Sequence, residues 1–273
     1  MKLHSMKRIV PKPFKRLVRR IVNAVRAARG SLIPPSSRVF VGAGDYVQIG
    51  NEFFNHFINL CNLKPKDRVL DIGCGSGRMA LPLTRFLVGD HSYEGFDIVP
   101  DGIDWCQRIT ARFPNFRFIL ADVYNKAYNP EGRQTARSYV FPYEDSSFDF
   151  VFLTSVFTHM LLEDTEHYLS EISRVLKPLG RCFATFFLLN DESRALMHAR
   201  ESKRDFVHEV DGVFTTSQDT PEDAVAIPET AVKSMLDRCR MRLLAPVHYG
   251  SWCGRTNYLS YQDIVVSEKL GDG

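Results

Sequence analysis

The 273-residue chain has six cysteines (Cys61, Cys74, Cys106, Cys182, Cys239 and Cys253) but no C-x-x-C pair, so a dithiol redox motif and a cysteine-rich zinc site are not signalled. A reducing, cytoplasmic setting follows as the expectation. No window approaches the roughly eighteen uncharged apolar residues of a membrane-spanning helix, and the N-terminus lacks the apolar core and small-residue cleavage site of a secretory signal. At 44% hydrophobic and 25% charged residues, the composition excludes disordered, collagenous and disulfide-scaffold classes and fits a globular chain.

Acidic residues are missing from one stretch only. Residues 1–44 hold eleven of the 35 Lys/Arg and none of the 32 Asp/Glu, which leaves the body with 24 basic against 32 acidic residues. The two parts therefore carry opposite charge, and the net +3 describes neither. Within the basic stretch, Phe14, Leu17, Val18, Ile21, Val22 and Val25 recur at helical spacing, with Lys15, Arg16, Arg19, Arg20 and Arg26 on the opposite arc. Pro11 and Pro13 precede the run and Gly30 follows it, so an amphipathic helix over residues 14–26 has limits at both ends. Three readings stand: contact with an anionic membrane surface, packing on the acidic body, and a targeting or nucleic-acid segment. The acidic body argues against nucleic acid as the protein's partner, and nothing sets an oligomeric state.

Beyond Pro35 the chain alternates β-rich runs with amphipathic stretches, the pattern of an α/β fold whose parallel sheet is covered by helices on both faces. Strands are expected at residues 68–72, 93–97, 116–121, 148–154 and 181–188, with helices around residues 79–86, 102–113 and 164–176. The runs 242–249 and 261–267 suggest a terminal antiparallel pair. Residues 1–44 thus read as an extension and residues 45–273 as one domain, with insertions at about 124–145 and 190–228 placed to cover a cleft.

The strongest signal is Val69-Leu70-Asp71-Ile72-Gly73-Cys74-Gly75-Ser76-Gly77-Arg78, a strand running into a glycine-rich turn. A dinucleotide enzyme would place G-x-G-x-x-G here to seat a pyrophosphate. This loop is G-x-G-x-G with Asp71 two residues before it, and that carboxylate favours a cationic ligand over an anionic one. Twenty residues past Gly77, Asp97 ends the second strand, where it can accept from both hydroxyls of a ribose. Asp122 ends the third and can accept from an adenine amino group, with Ile98 and Val123 on either face of the ring. A single strand-end Asp is as well explained as a helix cap, but three in order with this loop converge on one nucleoside.

In that order of motifs, together with Phe148-Asp149-Phe150-Val151-Phe152 and Glu171-Ile172-Ser173-Arg174-Val175-Leu176-Lys177-Pro178-Leu179-Gly180-Arg181, the chain resembles the class I S-adenosylmethionine-dependent methyltransferases from about residue 50 to residue 187. Leu179 departs from the Pro-Gly-Gly common in that family. The resemblance implies a Rossmann-like, doubly wound sheet of seven strands in the order 3-2-1-4-5-7-6, with the last strand antiparallel. It implies S-adenosylmethionine as cofactor and S-adenosylhomocysteine as product, with Gly73, Gly75 and Gly77 along the methionine part, Asp97 at the ribose and Asp122 at the adenine. Cys74, Ser76 and Thr154 complete the expected cofactor set.

After the fourth strand comes Thr154-Ser155-Val156-Phe157-Thr158-His159-Met160, where the acceptor meets the methyl group in this fold. His159 is the candidate general base for a hydroxyl, against the plainer reading of a packed or capping histidine. No metal-ligating pattern accompanies it, and the Asn/Asp-Pro-Pro-aromatic motif of DNA amino-methylation is missing. Aromatic residues in both insertions and near residues 249–261 suit a small, partly apolar, sugar-like or lipid-like acceptor. The readings in order are transfer to a hydroxyl, transfer to a small amine, and cofactor binding without catalysis.

Overall fold

The computed structural model describes residues 31–39 and 44–271. The basic amphipathic segment expected over residues 14–26 lies outside them. The first described residues already belong to the body, since the Leu32 carbonyl accepts from Trp105 Nε1 at 3.3 Å and Leu32 packs on the core. Helix α1 (Tyr46–Cys61) follows, its N-terminus closed by Asp45, whose carboxylate accepts from the Val47 and Gln48 amides at 3.0 and 2.8 Å. The elements expected from the sequence for the body begin only at residue 68, so this helix is an addition to them.

Strands β1 (Val69–Ile72), β2 (Tyr93–Asp97), β3 (Phe116–Leu120), β4 (Phe148–Leu153) and β5 (Leu176–Phe186) pair in parallel around β1. Helices α2 (Ala80–Leu83), α3 (Pro100–Arg112) and α4 (Leu162–Val175) connect them. Because both faces of the sheet are covered, the central strands read as unbroken apolar runs rather than alternating ones. On one face Val69, Phe150 and Phe152 pack against Phe57 of α1 and Cys106 and Ile109 of α3; on the other Leu70, Val151 and Leu153 pack against Leu169, Ile172 and Val175 of α4.

Residues 177–180, between the expected helix and strand, fall inside β5, which starts directly after α4. Leu179, at the position that departs from Pro-Gly-Gly, takes φ +65° and is exposed, so it adopts the left-handed conformation that a glycine would accept without strain.

Residues 187–229 form a second layer above the carboxyl ends of the parallel strands. They comprise β6 (Leu188–Leu189), α5 (Asp191–His198), β7 (His208–Val210), β8 (Val213–Thr215) and β9 (Val225–Pro228), and the four strands lie in the order β6-β9-β8-β7. Phe187, Phe206, Ala226 and Trp252 make its own small core. Helix α6 (Glu229–Arg238) then returns the chain to β10 (Met241–His248) and β11 (Asp263–Lys269). Strand β11 runs antiparallel to both β5 and β10, giving a seven-stranded order of β3-β2-β1-β4-β5-β11-β10. This is the expected 3-2-1-4-5-7-6 arrangement, terminal antiparallel pair included. Among the described residues no helix is long and apolar enough to cross a membrane.

Candidate cofactor and acceptor site

The loop after β1 is held against β2 by its own amides. Gly73 N and Cys74 N both donate to the Phe96 carbonyl, at 2.9 and 3.0 Å. Gly73 has φ +76°, and a Cβ on it would run into Val156 Cγ2 from the loop after β4, so the two loops can meet only at a glycine. The Asp97 carboxylate accepts from Gly75 N at 2.7 Å with one oxygen and from Val99 N at 2.8 Å with the other. Burial pushes its pKa up while those amides pull it down. Tyr46 on α1 donates its hydroxyl to the Ser76 carbonyl at 2.8 Å, clamping the far side of the loop.

Above this loop opens a cavity of about 970 Å³. Its wall contains Gly73, Cys74, Gly75, Ser76, Asp97, Ile98, Val123, Thr154 and His159, nine of the twelve residues singled out from the sequence. The other three lie elsewhere. Asp71 sits beneath the loop, fully buried, with one oxygen accepting from the Tyr93 hydroxyl and the other without a hydrogen-bond partner among the described residues. Burial raises its carboxyl to about 8. Gly77 faces α3 instead of the cavity, where an added Cβ would come within 2.6 Å of Ile109 Cδ1; its role is close packing of helix on loop. Asp122 is the clearest correction. Its side chain turns outward to Arg133, accepting from Nε at 2.6 Å and from the backbone amide at 3.1 Å, and that guanidinium holds its pKa below the usual carboxylate range. In this arrangement the Asp122 carboxylate points away from the cavity, whose wall includes its neighbour Val123 and Ile98.

Two other regions complete the wall, a helix not expected from the sequence and the aromatic stretch near residues 249–261 already offered for the acceptor. Helix α1 contributes Ile49, Glu52 and Phe53, and the segment before β11 contributes Tyr258 to Gln262. A signal for the helix existed in Tyr46, Ile49, Phe53 and Phe57 at steps of three and four behind Asp45. At the far end His159, in a single turn at Phe157–His159, brings Nδ1 to 2.9 Å from the Glu222 carbonyl of the second layer. Burial is the main cause that lowers its pKa, and Arg204 adds to it; the Glu222 and Asp223 backbone act in the opposite sense.

These residues fit S-adenosylmethionine by their own chemistry. The buried Asp97 carboxylate at the end of β2, the glycine loop packed against Val156 and the Asp71 oxygen without a hydrogen-bond partner among the described residues are the features that suit a nucleoside joined to a sulfonium amino acid.

Residues 70–184 match a family model described as a methyltransferase domain. A probable cobalt-precorrin-6B C(15)-methyltransferase (decarboxylating) of Thermoplasma acidophilum is 30% identical over 119 residues, 42% of this chain and 51% of that protein. A 27-O-demethylrifamycin SV methyltransferase of Amycolatopsis mediterranei is 32% identical over 127 residues, 46% of this chain and 41% of that protein. The chain thus spans about half the length of the curated relatives it matches. Among solved structures, the magnesium protoporphyrin IX methyltransferase of Synechocystis with bound S-adenosylhomocysteine superposes with a TM-score of 0.53 at 15% identity, covering 93% of this chain and 99% of that one, and so shares the fold. Residues 70–184 thus match a methyltransferase domain, and the sheet around them has the strand order expected from the resemblance to the class I S-adenosylmethionine-dependent methyltransferases.

Proposed function

We propose that the protein transfers the methyl group of S-adenosylmethionine to a hydroxyl of a small, partly apolar, sugar-like or lipid-like acceptor. The observation that carries this reading is His159 in the wall of the cavity, beyond the loop that suits the cofactor. The cofactor supplies an already activated methyl group, so the protein has to orient the acceptor oxygen and take its proton. A carbonyl oxygen only accepts, so the Glu222 contact places the His159 hydrogen on Nδ1 and leaves Nε2 as the proton acceptor. Tyr128 meets the His159 ring edge-on at 6.1 Å, and Tyr124, Tyr258 and Tyr261 in the same wall offer apolar faces. The relative named for 27-O-demethylrifamycin SV supports an oxygen acceptor.

Charge narrows the choice further. Glu52, Asp164, Glu222 and Asp223 line the cavity against Arg78 and Arg204, which disfavours an anionic acceptor. The same carboxylates would welcome an ammonium group, and this favours transfer to a small amine as the second reading.

Incubation with methyl-labelled S-adenosylmethionine and fractionated cell extract should yield a labelled product whose mass and alkaline stability identify an ether or ester oxygen or an amine. No labelled product would leave cofactor binding without catalysis. With the acceptor in hand, His159→Ala is expected to lower kcat about 10²-fold while affinity for S-adenosylhomocysteine stays within a few-fold. Because burial lowers the His159 pKa, the neutral ring persists below the ordinary imidazole range, and the acidic limb of kcat should lie below pH 6.5. A limb above that value, or near-normal turnover by the variant, would remove the base assignment.

The basic segment is proposed to rest on anionic lipid. Full-length protein should sediment with phosphatidylglycerol vesicles, less so as salt shortens the Debye length from about 10 Å at 0.1 M to about 3 Å at 1 M. Removing residues 1–30, which spares Leu32 on Trp105 and Val39 at the cavity, should abolish sedimentation and leave S-adenosylhomocysteine binding intact. Equal binding by the shortened chain would assign the contact to the body.

A further inference from the structure

The two insertions are joined at the cavity wall through Glu222. It lies in a tight turn, Pro221–Asp223, where Asp223 N donates to the Thr220 carbonyl at 3.0 Å and Thr220 Oγ1 contacts Asp223 Oδ2 at 2.7 Å. From that turn the Glu222 backbone carbonyl reaches His159 Nδ1, while its carboxylate accepts from Asn125 Nδ2 at 3.2 Å. Asn125 belongs to the other insertion, the one after β3. Its amide orientation is set by chemistry: Oδ1 accepts from the Ala127 and Tyr128 amides, both at 3.0 Å, and amides cannot accept, so Nδ2 is the end left for Glu222. A pair of backbone bonds between Asn125 and Asn129, at 3.0 and 2.9 Å, stiffens this turn, and it is this turn that carries Tyr128 onto the edge of His159.

Resting on the reading of His159 as the base, we propose that Glu222 is a positioning residue: its carbonyl fixes the His159 tautomer, and its carboxylate, through Asn125, makes that tautomer depend on both insertions being seated over the cavity. The neutral imidazole of a histidine free in water chiefly carries its hydrogen on Nε2, the wrong nitrogen for a base that must use Nε2. The Glu222 carbonyl reverses that preference, in the way a buried acceptor on the remote nitrogen orients many functional histidines. Side-chain substitution leaves a carbonyl at position 222, so its effect must come through the placement of the turn. Arg204, the Tyr128 ring and Asp223, the last through its charge and its backbone, also face His159; the contact at Nδ1 is the Glu222 carbonyl at 2.9 Å.

The test needs no acceptor. Long-range proton–nitrogen NMR of the full chain saturated with S-adenosylhomocysteine reads which ring nitrogen of His159 carries hydrogen, and His159→Gln identifies the signal. The expected result is a single Nδ1–H tautomer in the unaltered protein and in Glu222→Gln, which keeps an oxygen for Asn125. Asn125→Ala and Glu222→Ala should both give a mixture containing Nε2–H, with S-adenosylhomocysteine affinity within about two-fold as the check on folding. Should Glu222→Ala fail to fold, Asn125→Ala decides. Hydrogen on Nε2 in the unaltered protein, or a pure Nδ1–H tautomer in Asn125→Ala, would overturn the proposal. Failure of the methyltransferase reading appears separately, as no labelled product from a protein whose His159 tautomer is as expected.

Discussion

Asp97→Ala is expected to abolish measurable binding of S-adenosylhomocysteine in calorimetry, by a factor of about 10² to 10⁴. Hydrogen bonds to an ionised acceptor contribute about 1.5 to 3 kcal/mol each, and a ribose brings two hydroxyls. The same carboxylate also holds Gly75 N and Val99 N, so its loss frees the glycine loop as well as the sugar subsite. Asp97→Asn keeps the shape and one acceptor oxygen and should fall between the two. Asp122→Ala makes the informative comparison, because that carboxylate is committed to Arg133 outside the cavity; its effect on affinity should stay within a few-fold. Equal losses at both positions would mean that Asp122 turns inward when the cofactor binds. Unchanged affinity in Asp97→Ala, or tight NAD binding with no response to S-adenosylhomocysteine, would contradict the nucleoside assignment.

That Asp97 lines the cavity and Asp122 does not is a matter of what fixes each side chain. Asp97 ends a fully buried strand beside the glycine loop, and the loop's own amide leaves its carboxylate one direction to point. Asp122 begins an insertion, where Arg133 competes for it from eleven residues away, a pairing with no local periodicity. Gly77 shows a related limit: a glycine that admits a ligand and one that admits a helix look alike in a motif, and only Ile109 and Cys106 tell them apart. The parallel sheet was legible because five apolar runs of strand length alternate with helical ones. The second layer was expected as an insertion over the cleft, but its strands were hidden for a different reason. Its hairpin carries the signal Val210-Asp211-Gly212-Val213, with Asp211 and Gly212 at φ +47° and +80°, but strands of three residues are too short to show alternation. His159 stood out through its place after β4, whereas its partner Glu222 is 63 residues away and contributes a backbone atom, which no residue type announces.

Asp263→Ala is expected to lower the unfolding free energy by about 3 to 5 kcal/mol in urea titrations, the cost of breaking a buried ion pair. Asp263 is fully buried at the start of β11 and accepts from Leu188 N, Gly250 N and Trp252 Nε1, each at 2.7 Å, and from Arg255 Nη1 at 3.2 Å. One carboxylate thus ties the first strand of the second layer, the chain before β11 and the main sheet together. Without it, Arg255 stays buried with Glu192, which is itself largely exposed, and the Asn190 amide oxygen as its side-chain acceptors. Three neutral donors lose their partner at the same time, and each buried donor left unpaired costs about 1 to 3 kcal/mol before relaxation. Adding Arg255→Met should therefore recover only part of the loss, since it removes the stranded charge but not the orphaned amides and indole. If the single variant lost less than about 1 kcal/mol, the second layer would be held by its apolar core of Phe187, Phe206 and Trp252. A full loss assigns that job to Asp263, and with it the placement of Tyr258 to Gln262, the stretch of cavity wall suspended between Arg255 and β11.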